Sequence, residues 1–189
     1  MVNPVTRRRA VFLDRDGTIA EENGYVNHIG RFDIFPFAAA AIRRLNDLRW
    51  PVIVVTNQSG VARGFFPEEM VHRVNQKMMA QLAQGGAHVD AIYYCPHIRE
   101  DGCTCRKPLP GMLEQAAREL GLEWTGSFLV SDRFVDLQMG ARAGCRNILV
   151  KTGYGRGEYE WNRSRWTDLQ YQPVDDLTEA VDWILEDTR

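Results

Sequence analysis

Residues 10–18, Ala-Val-Phe-Leu-Asp-Arg-Asp-Gly-Thr, decide the fold: an apolar run ends directly in two aspartates and a glycine. The run suits a buried strand. Successive side chains of an extended segment point to opposite faces, so Asp14 and Asp16 project to the same side, and Gly17 lets the chain turn sharply behind them. Two neighbouring acids require a compensating cation. A hard divalent ion such as Mg2+, bound by oxygens and sharing its shell with a phosphate, meets that need. One carboxylate can then act as nucleophile while the other handles protons. A solvated turn has the same composition, so the pentapeptide alone leaves both readings open. An EF-hand loop is excluded. Such a loop puts Gly at its sixth position and an acid at its twelfth, which counted from Asp14 are Ile19 and Tyr25.

Working outward, short apolar runs alternate with amphipathic stretches, the pattern of strand-helix-strand units in a parallel sheet covered by helices. Strands are expected at Ala10–Leu13, Val52–Thr56, Ala91–Tyr94, Phe128–Val130 and Asn147–Val150. Helical spacing runs through Ala41, Ile42, Leu45 and Leu48 up to Pro51, and again from Pro67 through Met70 or Val71, Val74, Met78 and Leu82 to Gly85-Gly86. Pro110 to Leu120 and Leu137 to Ala143 follow, with Gly121 and Gly144 as C-terminal caps, and Leu177 to Leu185 begins behind Asp175-Asp176. The expected fold is therefore α/β: one doubly wound, Rossmann-like three-layer domain over residues 1–189, with a mainly parallel sheet. No large cap domain fits between the motifs. Thr152 to Gln170 has no clear period and reads as an ordered surface loop or partner contact.

Composition narrows the class. With 189 residues, 44% hydrophobic and 25% charged, the chain can bury a sizeable core. A net charge of −2 and a pI near 6.1 leave no electrostatic footprint for nucleic acid, and Arg7-Arg8-Arg9 reads as a solvated lead-in to the first strand. No apolar stretch reaches signal-peptide or membrane-span length, so a cytoplasmic protein without a membrane partner is expected. A monomer is the default expectation.

A doubly wound sheet binds ligands beyond the carboxyl ends of its strands, and the remaining polar motifs fall at such ends. Thr56-Asn57-Gln58-Ser59-Gly60 offers a hydroxyl and backbone amides suited to phosphoryl oxygens. Lys107, after Arg106, can neutralise the charge on a transferring phosphoryl group. Asp132, in Ser131-Asp132-Arg133-Phe134-Val135-Asp136, can complete a metal shell, while Asp136 supports the site or caps the next helix. Separately, Cys95, His97, Cys103 and Cys105 put three thiolates and an imidazole within one short loop, a four-ligand set for a closed, structural Zn2+ site just before Arg106 and Lys107. The fourth cysteine, Cys145, reads as a small buried apolar residue.

In order, Asp14-x-Asp16-Gly-Thr, Thr56, Lys107 and Asp132-x-x-x-Asp136 resemble the haloacid dehalogenase superfamily of aspartyl phosphatases. The resemblance implies that Asp14 attacks phosphorus to form an aspartyl phosphate, and that Asp16 protonates the leaving alkoxide and then activates water. Thr56 and Lys107 would hold phosphoryl oxygens. Mg2+ would sit on the carboxylates of Asp14 and Asp132 and the main-chain carbonyl of Asp16. The zinc loop at 95–105, Gly24-Tyr25-Val26, the stretch Val55 to Gly64, Tyr93 to His97 and Cys105-Arg-Lys-Pro108 are similar to the heptose 1,7-bisphosphate phosphatase branch and the related histidinol-phosphate phosphatases. By that resemblance Glu22, Asn23, Gly24 and Tyr25 lie against the substrate with Asn57, Gln58, Ser59 and Arg106, and the substrate is a small sugar bisphosphate. Arg offers a planar fork to a second phosphate.

At Ser131-Asp132-Arg133 the heptose enzymes usually carry Gly-Asp-Lys. The charge at 133 persists but its geometry changes, which bears on substrate choice and keeps Arg133 among the candidate substrate contacts. The loop Ile98 to Gly102 is short and borders the pocket. A histidinol-phosphate phosphatase shares nearly all these motifs, and a nucleic-acid 3'-phosphatase is weighed against by the acidic pI. An inactive zinc-stabilised binding module would require a missing catalytic group, and none is missing.

Overall fold

The structure, a computed structural model, describes residues 8–188. Six parallel strands form one sheet in the order β3-β2-β1-β4-β5-β6: β1 Arg8–Leu13, β2 Val52–Asn57, β3 Ala91–Cys95, β4 Leu122–Ser131, β5 Arg146–Val150 and β6 Gln172–Val174. The chain winds outward from β1 through β2 to β3, then crosses to β4 and winds the other way. The winding therefore reverses between β1 and β4, and a crevice opens there at the carboxyl ends.

The strand sequences are apolar without interruption because both sheet faces are covered. Val11 and Leu13 of β1, Val52 and Val54 of β2, Phe128 and Val130 of β4, and Ile148 and Val150 of β5 pack into one core. Their sequence neighbours Ala10, Phe12, Ile53, Val55, Leu129 and Leu149 pack into a second core on the opposite face. Helices α1 Ala38–Asp47, α2 Glu68–Gln84 and α6 Leu177–Asp187 cover the first core, burying Ile42 and Leu45, Met78 and Leu82, and Val181 and Ile184. Helices α3 Gly111–Leu120 and α4 Phe134–Ala143 cover the second with Leu113, Ala116, Phe134 and Leu137. This is the expected three-layer α/β/α arrangement with a mainly parallel sheet. Among the described residues no helix is long and apolar enough to cross a membrane.

Helix α4 begins at Phe134, before the expected Leu137, and two strands depart from expectation, each for a local reason. Strand β4 begins at Leu122, not Phe128, and carries an irregularity opposite Arg9 to Val11. Gly126 there has φ +75°, and the Ser127 hydroxyl accepts the Ala10 N–H at 2.9 Å, a side chain standing in for a ladder carbonyl. The short β6 escaped the sequence reading because its three residues include Pro173. It pairs with β5 alone, and proline is tolerated on such an edge.

The segment after β5 is helical but irregular. A single turn, α5 Gly155–Gly157, runs into a π-helical turn at Glu158–Asn162 and a 3-10 turn at Arg163–Arg165. Trp166 packs inward against Phe134 at 5.6 Å between ring centroids, whereas Trp161 is 79% exposed. The Asp176 carboxylate caps α6 by accepting the Thr178 and Glu179 N–H groups, as its place before Leu177 predicts.

Candidate active site

The candidate catalytic and substrate residues other than Asn23 face one cavity of about 830 Å³, or lie buried beneath it as Asp132 does, at the carboxyl edge of the sheet, and of the Cys/His cluster Cys103 lines it. Asp14 follows β1, with its N–H bonded to the Val130 carbonyl of β4, so the backbone sits at the crossover itself. Behind it the chain folds back tightly: Ile19 and Ala20 donate to the Arg15 carbonyl, and Gly17 donates to Ala20. Gly17 has φ +80°, and a Cβ there would fall on Asp132 Oδ2. Only glycine serves this position.

Lys107 lies 4% exposed on the cavity floor. Its Nζ contacts Asp14 Oδ1 at 2.9 Å and Asp136 Oδ2 at 2.6 Å. Asp136, in the first turn of α4, also accepts the Ser131 hydroxyl at 2.7 Å. Asp136 therefore supports Lys107. Burial alone would lower the Lys107 pKa, but the carboxylates of Asp136 and Asp14 outweigh it and hold the ammonium charged. Asn57 brackets the Lys107 backbone, its Oδ1 accepting the N–H at 3.2 Å and its Nδ2 donating to the carbonyl at 3.4 Å.

Asp16 is clamped from two sides. Arg15 donates through Nη2 to Asp16 Oδ2 at 2.9 Å, and Gln58 Nε2 donates both to Asp16 Oδ2 and to Thr56 Oγ1 at 2.9 Å. Arg15 itself is 1% exposed, its Nη1 bonded to Asn75 Oδ1 of α2 at 3.0 Å and its guanidinium over the Phe32 ring. Buried arginine is rare and needs such partners. Neither Arg15 nor Asn75 was visible as a site residue in the sequence. The signal available was an arginine between two aspartates on the inner face of a buried turn.

Asp132 is fully buried beneath the cavity. The Tyr154 N–H donates to its Oδ2 at 2.8 Å, while its Oδ1 has no hydrogen-bond partner. Burial, then the neighbouring charge of Asp14, raises its pKa to about 8. Burial likewise raises Asp14 to about 7, with Lys107 opposing and Asp136 and Asp16 adding to the rise. An orphaned carboxylate oxygen beside a second acid, with glycines 17 and 153 leaving their Cβ space open to Asp132, fits a hard divalent cation.

The rim is built by loops. Glu22, Gly24 and Tyr25 line one side, and Ser59, Arg106 and Arg133 line the remainder with Tyr154. Asn23 does not reach the cavity; its side chain donates to the Arg31 carbonyl at 3.0 Å and holds the loop instead. Tyr154 was missed because it lies in the aperiodic stretch, although glycines on both sides of it just after a strand were a usable signal.

Cys95, His97, Cys103 and Cys105 converge as the spacing suggested, with all four ligand atoms within 4.8 Å of one another. Cys95 Sγ lies 3.6 Å from Cys103 Sγ and from His97 Nδ1, and His97 Nδ1 lies 3.4 Å from Cys105 Sγ. The edge of a zinc-thiolate tetrahedron is about 3.8 Å, so the set fits a closed four-ligand site. The His97 carbonyl accepts Arg106 Nη1 at 2.9 Å, tying this cluster to the cavity.

A HAD-hydrolase-like family model matches residues 104–180. The D-glycero-beta-D-manno-heptose-1,7-bisphosphate 7-phosphatase of Pasteurella multocida is 42% identical over 153 residues, covering 77% of this chain and 83% of that protein. The D-glycero-D-manno-heptose-1,7-bisphosphate 7-phosphatase of Thermosynechococcus vestitus is 38% identical over 188 residues, 94% of this chain and 95% of its own. The crystal structure of D,D-heptose 1,7-bisphosphate phosphatase from B. bronchiseptica, complexed with magnesium and phosphate, superposes with a TM-score of 0.86 at 37% identity, over 95% of this chain and 99% of that one. Relatives about 40% identical cover from 77% to 95% of this chain, and the chain belongs to the heptose-1,7-bisphosphate 7-phosphatase family of HAD-like hydrolases.

Proposed function

We propose that this chain is a Mg2+-dependent phosphomonoester hydrolase that removes the 7-phosphate of D-glycero-D-manno-heptose 1,7-bisphosphate in heptose-nucleotide synthesis. The observation that carries the chemistry is the buried Lys107 held by Asp14 and Asp136 beside the orphaned oxygen of Asp132. The substrate follows from the relatives.

Asp14 attacks phosphorus, forming an aspartyl phosphate as the sugar oxygen departs. Asp16 gives that oxygen a proton, then takes one from the water that cleaves the acyl phosphate, releasing inorganic phosphate. Arg15 and Gln58 keep the Asp16 carboxyl aimed into the cavity. Lys107 and the Thr56 hydroxyl receive the phosphoryl oxygens, and Asn57 keeps the lysine backbone in place. Asp14, Asp132 and the Asp16 carbonyl would hold Mg2+, whose charge neutralises the phosphoryl oxygens during transfer. Cys95, His97, Cys103 and Cys105 would hold a structural Zn2+ with no open position for substrate. That ion would anchor the loop carrying Arg106.

Phosphate release with Mg2+ from both anomers of heptose 1,7-bisphosphate, from histidinol phosphate and from simple sugar monophosphates tests the reading. The expected outcome is a preference for one heptose bisphosphate anomer. A preference for histidinol phosphate would replace the proposed substrate, and no release from any ester would sink the enzymatic reading.

A further inference from the structure

Arg133 stands at the rim as the residue before α4, exposed, and among the described residues no carboxylate lies within ion-pairing distance of it. Its guanidinium instead lies over the Tyr154 ring, 4.6 Å from the centroid. A guanidinium held over a ring by its charge makes no N–H bond there, so its donors stay available to a ligand. Glu22, across the rim, feels the charge of Arg133 without pairing to it. The ring is the feature that restrains this cation, and the cavity it overlooks is shared with Arg106.

Tyr154 does two separable things. Its backbone N–H holds Asp132 Oδ2 beneath the cavity, and its side chain, 48% exposed, holds Arg133 above it. Any residue supplies the N–H, whereas only an aromatic side chain supplies the stack.

We propose that Tyr154 is a positioning residue for substrate selection: its ring holds the Arg133 guanidinium over the cavity as the receptor for the phosphate that is not cleaved. This rests on the proposed bisphosphatase activity. The pair divides labour with the floor, where Lys107 and Asp14 act on the phosphate that leaves. Selection then depends on a half-exposed rim contact, so it can be lost without losing the fold.

The test compares heptose 1,7-bisphosphate with heptose 7-phosphate, which lacks only the second phosphate, for the wild type, Tyr154→Ala and Tyr154→Phe in the presence of Mg2+. The wild type is expected to favour the bisphosphate. Tyr154→Ala should shrink that preference about tenfold, through KM rather than kcat, and Tyr154→Phe should restore it. An unchanged preference in Tyr154→Ala, an equal loss on both substrates, or no rescue by phenylalanine overturns the proposal. Equal use of both substrates by the wild type also overturns it while leaving the phosphatase reading standing. No hydrolysis of either by the wild type overturns the proposed function, and this inference with it.

Discussion

Lys107 lies between the side chains of Asp14 and Asp136, and its charge opposes the burial that raises the Asp14 carboxyl, so the nucleophile proposed for this chain sits beside a fixed cation. Asp14→Asn removes the nucleophile but keeps its size, so kcat should fall by about 10³-fold or more with the melting temperature nearly unchanged. Turnover at the wild-type rate would refute the role. Gly17 offers a sharper test, because it bears no functional group. A methyl group there meets Asp132, and the backbone is left-handed, so Gly17→Ala should lose Mg2+-dependent activity although no ligand is removed. Mg2+ titration of activity checks this, and an unchanged midpoint would show that the turn behind Asp14 does not govern the cation site.

At the scale of elements, the segment between β3 and α3 does with a cross-linked loop what a longer structured insertion would do elsewhere. The 3-10 turn Arg99–Asp101 is closed by Asp101 accepting the Ile98 N–H, and Gly102 turns the chain back with φ +62°. These few residues hold little apolar surface, and a Zn2+ on the four converging side chains would supply their order. Cys103→Ala should release about one equivalent of zinc, lower the melting temperature by several degrees and raise KM, because Arg106 loses its anchored His97 carbonyl. Metal analysis together with kinetics at saturating Mg2+ reads all three. Zinc content equal to the wild type would remove the cluster from the account.

For the whole molecule, the site is a concentration of negative charge built into a two-sided core. Without a cation the carboxyls of Asp14 and Asp132 are raised to about 7 and about 8 from an ordinary value of 3.8, so the folded state holds protons that the unfolded chain gives up. Their stabilising contribution is complete below the unfolded value and is lost as pH rises through 7 to 8. The metal-free protein should therefore melt several degrees lower at about pH 8 than at about pH 5, and Mg2+ should raise the melting temperature more at the higher pH. Thermal scans in four conditions decide it. A metal-free melting temperature that climbs over this interval would contradict the acid cluster.

The sequence by itself determined the layers and which polar motifs meet at the cavity. Uninterrupted apolar strands can only belong to a sheet covered on both faces, and their carboxyl ends carry Asp14, Thr56 and Asp132 where such a sheet opens. That Asp14, Asp16 and Lys107 gather at one cavity, and that Cys95, His97, Cys103 and Cys105 converge, was legible because each stands in a short motif whose spacing maps directly onto strand or loop geometry. Tertiary structure alone decided which groups hold these in place. Asn75 reaches Arg15 across 60 positions, Tyr154 reaches Asp132 across 22, and Asn57 reaches Lys107 across 50. The inward turn of Trp166 was hidden for the same reason, since it depends on Phe134, a neighbour far along the chain. Local pattern reports what a residue does to its own backbone. A hydrogen bond between distant elements leaves no period or spacing to read, and it exists only once the sheet has brought its ends together.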